Sequence, residues 1–124
     1  MKTSKSNLKT WSHWHDRLHR YLISHKKLLP ENASILLSVS GGQDSMALTK
    51  LIIDLRRIYK WKIHIWHGDH GWHKKSGEIA QELESWCKVN NLIFFCDLAS
   101  KDEVSKEVTA RNWRYKNLEK TANL

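Results

Sequence analysis

The sequence predicts an α/β fold: a parallel sheet with helices on both faces, made of three strand–helix units after an N-terminal helix. Two observations carry this prediction. Short apolar runs of strand length alternate with longer segments whose apolar residues recur at helical spacing. The first of those runs also stops at a glycine pair that opens straight into a helical pattern. Strands arranged in this order pair in parallel through right-handed crossovers, which carry the connecting helices onto the sheet faces.

Residues 1–9 are polar and basic and read as a frayed tail. From there Trp11, Trp14, Leu18, Tyr21 and Leu22 share one helical face, and His13, His15, Arg17, His19 and Arg20 occupy the remaining surface. This helix should stop between 26 and 29, ahead of Pro30. Ser34 to Val39 is a strand apolar enough to be buried on both sides. Asp44 to Tyr59 follows as a helix, with Met46, Leu48, Leu51, Ile52, Leu55 and Ile58 on its apolar stripe. Lys62 to His67 is the second strand, ending at a Gly68-Asp-His-Gly71 turn. Ser76 can cap a helix carrying Ile79, Ala80, Leu83, Trp86 and Cys87, which Asn90-Asn91 would end. Leu92 to Cys96 is the third strand, and a last helix is expected from about Glu103 onward. No strand follows that helix, so residues 31–124 read as the N-terminal portion of a larger sheet domain, with 1–30 as a basic tail and amphipathic helix before it.

Composition limits the function. Among 124 residues, 21 Lys and Arg stand against 13 Asp and Glu, a net charge of +8 that favours a polyanionic partner. Hydrophobic residues make up 40%, enough to exclude a disordered chain. No apolar run approaches the length of a membrane-spanning helix, and the charged N-terminus has no apolar stretch behind it. A cytoplasmic protein with no membrane partner is the expectation. Cys87 and Cys96 form no C-x-x-C pair and read as two small core residues.

The loop after the first strand carries the chemistry. In Ser40-Gly41-Gly42-Gln43-Asp44-Ser45 the two glycines permit a tight turn and a close backbone approach to a ligand. The N–H groups and positive dipole end of the next helix face the same point, and both serines add hydroxyls. The result is an anion cradle at the carboxyl end of a strand, where open α/β sheets bind their ligands. The plainer reading is a strand–helix turn with Asp44 as its cap. A Walker loop would need Gly-Lys and a dinucleotide fingerprint three spaced glycines, and neither is present.

The order Ser-Gly-Gly-x-Asp-Ser resembles the PP-loop of the ATP pyrophosphatase superfamily, enzymes that cleave ATP between its α and β phosphates. Two further segments are similar to the tRNA(Ile)-lysidine synthetases within it. One is His67-Gly-Asp-His-Gly-Trp-His73, close to their His-x-Asp-His-Gly-Leu-Arg stretch, with Trp72 and His73 in place of Leu and Arg. The other is Ala110-Arg111-Asn-Trp-Arg114-Tyr115, close to their Ala-Arg-x-x-Arg-Tyr element. That resemblance implies ATP held by Ser40, Gly41, Gly42, Gln43, Asp44 and Ser45, with Asp69 and His70 beside the nucleotide and Asp44 contacting Mg2+. It implies adenylation of the wobble cytidine of isoleucine tRNA and joining of free lysine to give lysidine. Family members also carry a Gly-His-x-x-x-Asp-Asp-x-x-Glu-Thr segment that this sequence lacks, so catalysis by this chain alone is not expected. A non-catalytic nucleotide- or RNA-binding module and another PP-loop enzyme, such as a tRNA thiolase, stay open.

Arg111 falls on a helical stripe with Val104, Val108, Tyr115 and Leu118. An arginine on a buried face needs an anion or a route to solvent. Arg111, with Arg114 near it, is therefore the candidate for reaching ATP phosphates or the phosphoryl transition state. Snorkelling or an ion pair is the alternative. The histidines at 64, 67, 70 and 73 recur every third residue, which suggests a metal, but a strand sends His64 and His67 to opposite faces. Seven tryptophans remain, of which Trp86 reads as core, Trp113 as exposed and Trp72 as a site-loop residue able to stack on an RNA base.

Overall fold

Three parallel strands lie in the order β1-β2-β3, with Ile35 paired to Ile63 and Ile65 to Phe94. The computed structural model describes residues 11–71, 75–100, 103 and 106–124. The elements are α1 (His13–Ser24), β1 (Ser34–Ser38), α2 (Gln43–Tyr59), β2 (Lys62–Asp69), α3 (Ser76–Val89), β3 (Ile93–Leu98) and α4 (Glu107–Ala122). The expectations for residues 1–9 and for Trp72, His73 and Val104 lie outside the described residues.

Two successive crossovers stepping the same way across a sheet place both helices on one face. Accordingly Ile52, Leu55 and Tyr59 of α2 and Leu83 and Cys87 of α3 share a core with Ile35, Ile63 and Ile65. Helix α1 joins that layer through Leu22. Strand alternation sends Trp66, Leu36 and Phe95 to the other face, where Ala110, Trp113 and Leu118 of α4 cover them. Helices thus flank both faces, as predicted, but three to one. Because the loop after β1 leads to one face and α4 covers the other, a crevice opens at the carboxyl end of β1.

The outer helices depart from their predicted faces. On α1, Trp14 and Tyr21 are 62% and 52% exposed, whereas His15 is buried. The neighbour of α1 decides this. Helix α2 presents Asp54 and the Tyr59 hydroxyl, and His15 Nε2 lies 2.7 Å from Asp54 Oδ2 while His19 Nδ1 lies 3.0 Å from Tyr59 Oη. The docking face therefore sets two histidines beside Leu22, and the large rings turn outward. On α4 the buried residues are Ala110 and Trp113, while Val108 and Tyr115 are mostly exposed. Trp113 is core rather than surface, and Arg111 is on the solvent side. Helix α4 also starts at Glu107 rather than near Glu103, whose carboxylate accepts the Ser100 N–H at 2.9 Å in the preceding loop.

The cysteines divide. Cys87 is fully buried and burial pushes its thiol up to about 11, so it is an inert core residue. Cys96 is exposed on edge strand β3 instead of lying in the core. Among the described residues, no helix is long and apolar enough to cross a membrane.

Candidate functional site

The loop between β1 and α2 is shaped by its own residues. Gly41 has φ +90°, in the region that side chains disfavour, and a Cβ there would lie 2.8 Å from Ile79 Cγ2 of α3. The Ser40 N–H donates to Ser45 Oγ at 3.1 Å, and the Gly42 N–H donates to Ser40 Oγ at 3.1 Å. Both serine oxygens thus hold the turn as acceptors, leaving each hydroxyl hydrogen to donate elsewhere. Gly42, not Asp44, is the N-cap of α2, and among the described residues no side chain caps its first turn. The N–H groups of that turn have no intrahelical partner and lie where an anion would complete them. Asp44 is exposed within the turn, one residue past its start.

Three adjoining recesses run along the crevice. One of about 400 Å³ is lined by Ser38, Val39, Ser40, Ser45, Trp66, Gly68, His70 and Arg114. A smaller one of about 110 Å³ shares Ser40, Gly68 and His70 with it and adds His67, Asp69, Ser76 and Ile79. The third, about 390 Å³, shares Ser38 and Arg114 and adds Glu107, Val108, Arg111, Tyr115 and Leu118. Ser40, Ser45 and His70 therefore line one recess with Arg114, Asp69 lies in the recess that shares Ser40 and His70 with it, and Arg111 in the one that shares only Ser38 and Arg114. Gly41, Gly42, Gln43 and Asp44 form the loop above Ser40 but do not line these recesses.

Individual groups are set by their neighbours. Asp69 is buried, and its Oδ1 accepts the Gly71 N–H at 2.9 Å, holding the turn in which Gly71 takes φ +69°. His70 lies against the edge of the Trp113 ring, with centroids 5.5 Å apart, and its Nε2 is 3.3 Å from Arg114 Nη1. Burial, then the Arg114 charge, lowers the His70 pKa below its ordinary 6.5, so the ring is neutral near pH 7 and accepts from Arg114. Arg114 is also 3.6 Å from Glu107 Oε1. Arg111 packs its guanidinium over Tyr115, 5.4 Å from the ring centre, and faces solvent. Gly68 makes room for the Trp66–Trp113 pair, since a Cβ would lie 2.6 Å from Trp66 and 2.9 Å from Trp113.

His67 is a further functional candidate. It is buried, and its Nδ1 lies 2.7 Å from the Val39 carbonyl oxygen, directly below the loop. The signal for it was the strand alternation, which puts position 67 on the same buried face as Ile63 and Ile65. Its place in the every-third-residue histidine run masks that signal by suggesting a metal. His64 lies on the other face, its ring 6.3 Å from that of Phe95. Among the described residues, no three His, Cys, Asp or Glu side chains gather as a metal group. A magnesium ion bound with phosphates needs only one or two protein carboxylates, and the exposed Asp44 beside the cradle fits that partial role.

A glycine turn feeding an uncapped helix N-terminus, at the carboxyl end of a parallel strand, defines a phosphate-binding α/β domain. Residues 12–124 match the PP-loop domain, and the chain belongs to that family. It is 60% identical over 118 residues to a tRNA(Ile)-lysidine synthase of Prochlorococcus marinus, covering 95% of this chain and 35% of that protein. Identity is 51% over 112 residues to the tRNA(Ile)-lysidine synthase of Parasynechococcus marenigrum, covering 90% of this chain and 33% of that protein. It is 41% over 108 residues to the chloroplastic tRNA(Ile)-lysidine synthase of Pyropia yezoensis, covering 85% and 32%. The chain thus spans about a third of the length of these curated relatives.

Proposed function

We propose that this chain is the ATP-binding part of an enzyme that modifies isoleucine tRNA. The observation that carries the reading is the crevice itself. Ser40 and Ser45, at the two ends of the glycine loop, line one recess with Arg114, and the adjoining recess that shares Arg114 adds Arg111. The names of the relatives support the substrate, and the net charge of +8 suits a tRNA.

In the proposed reaction the C2 oxygen of the wobble cytidine attacks the α-phosphorus of ATP. The bond from that phosphorus to the bridging oxygen breaks, and pyrophosphate leaves. The amine of free lysine then adds to C2, loses a proton to solvent, and expels AMP to give lysidine. Ser40 to Ser45 would hold the departing phosphates through backbone N–H groups and serine hydroxyls. Asp69 and His70 would wall the nucleotide on the β2 side. Arg111 and Arg114 would meet the charge developing on the phosphoryl oxygens, where a forked cation is most effective. Magnesium, when bound with the nucleotide, neutralises phosphate charge, and Asp44 would hold it.

ATP–pyrophosphate exchange tests this reading. Exchange that requires isoleucine tRNA supports it, and exchange indifferent to tRNA would point to another PP-loop chemistry. The second reading is a nucleotide-binding module without turnover. Tight ATP binding with no exchange under any tRNA condition would select it. A thiolase that uses a cysteine pair is less well served, since Cys87 is buried with its thiol pushed up to about 11, and the exposed Cys96 sits apart from it on β3.

A further inference from the structure

Helix α1 carries large aromatic residues that its own packing does not use. Trp14, Arg17 and Tyr21 fall within about 60° of one another around the helix axis, on the side away from α2. The arginine is exposed, as are the two rings beside it. These groups are already arranged in stacked pairs. The Arg17 guanidinium lies over the Trp14 ring at 5.3 Å. The His25 ring, just past the helix end, lies on Tyr21 with centroids 4.0 Å apart and planes 17° from parallel.

The charge of this segment is predominantly positive. Within residues 11–30, Arg17, Arg20, Lys26 and Lys27 stand against one acidic residue, Asp16. That carboxylate is engaged by Arg20 at 3.1 Å. The docking side of the helix is separately accounted for by His15, His19 and Leu22.

We infer that this strip is a contact surface for unpaired RNA nucleotides, separate from the phosphate cradle. Flat rings give each base a stacking partner, and the cations between and around them meet the phosphates that join the bases. A second copy of the chain fits poorly. Two such strips face to face would bring like charges together with no carboxylate left to separate them. A lipid surface would favour a continuous apolar face, whereas here rings and cations alternate. The inference rests on the proposed RNA substrate for its partner, but its geometry is independent of the cradle.

Fluorescence anisotropy of a labelled single-stranded oligoribonucleotide tests it, with a fully paired RNA of equal length as the comparison and ATP binding measured in parallel. Trp14→Ala and Tyr21→Ala should each weaken single-strand binding roughly five- to thirty-fold, while Trp14→Phe, which keeps a ring, stays within about twofold. ATP affinity should be unchanged in all three. Variants that bind the single strand as tightly as the parent chain would overturn the inference and leave the proposed function standing. So would strip variants whose only loss is self-association or binding to anionic phosphatidylserine vesicles. A parent chain that binds ATP but neither RNA would sink the inference together with the tRNA reading.

Discussion

His67 Nδ1 lies 2.7 Å from the carbonyl oxygen of Val39, joining β2 to the residue that precedes the phosphate loop. A carbonyl only accepts, so the ring proton is on Nδ1. The Val39 N–H in turn donates to the Trp66 carbonyl at 2.8 Å, so both polar atoms of Val39 are tied to β2. The loop therefore starts from a backbone fixed on both sides.

Removing that donor leaves a buried carbonyl without its partner. His67→Ala should cost about 1–3 kcal/mol in stability and weaken ATP binding, because Ser40 is the next residue. His67→Asn, whose side-chain N–H reaches a similar position, should recover part of both. Urea denaturation and ATP titration measure the two effects. Unchanged ATP affinity in His67→Ala would show that the bond does not position the loop.

The Gly41 position is steeply demanding and its neighbour is not. Gly41→Ala combines φ +90° with a Cβ 2.8 Å from Ile79, so it should lose about 1–3 kcal/mol and most of its ATP binding. Gly42→Ala meets only Ser40 Oγ at 3.4 Å, an ordinary contact, and should lose far less. Thermal unfolding and isothermal titration of both variants measure the contrast. Equal effects at the two positions would contradict the loop geometry.

The contrast also shows why the loop was legible in the sequence while the outer helices were not. A left-handed turn against a neighbouring helix admits almost only glycine, so Gly41 announces itself locally. The strands were legible for a related reason, since alternation fixes which side each residue faces. Helices α1 and α4 have apolar residues on more than one side, and the partner decides which side is buried. Asp54 and Tyr59, about forty residues away in sequence, draw His15 and His19 inward and leave Trp14 exposed. Trp66 and Gly68 draw in Trp113, which turns Arg111 to solvent. No spacing within either helix carries that information.

His70 gives the site a pH dependence. Its pKa is lowered in the folded chain, first by burial and then by Arg114. The unfolded chain therefore takes up the proton first as pH falls through about 6.5. The stability associated with neutral His70 is present above that value and is lost as pH drops toward the folded pKa. Protonation also removes the acceptor for Arg114. Histidine NMR titration should place the His70 midpoint below 6.5, and Arg114→Ala should raise it without restoring the ordinary value. A midpoint at or above 6.5 in the parent chain would refute the assignment.

The docking of α1 rests on one bidirectional histidine. His15 Nδ1 accepts the Ser12 N–H at 2.8 Å, which leaves Nε2–H to donate to Asp54 Oδ2 at 2.7 Å. Asp54 is also reached by Lys50 at 3.2 Å, one turn earlier on α2. The same ring thus caps α1 and anchors it. His15→Ala removes both functions, whereas Asp54→Ala removes only the anchor, so the first should destabilise more. A double-mutant cycle should return a coupling of about 1–2 kcal/mol, since the histidine is buried and its partner only partly exposed. Because the aromatic strip lies on the opposite side of α1, neither substitution should abolish single-strand RNA binding while the helix stays folded. Additive losses in the cycle would mean that α1 is held by Leu22 packing and the His19–Tyr59 bond, with His15 serving only as a cap.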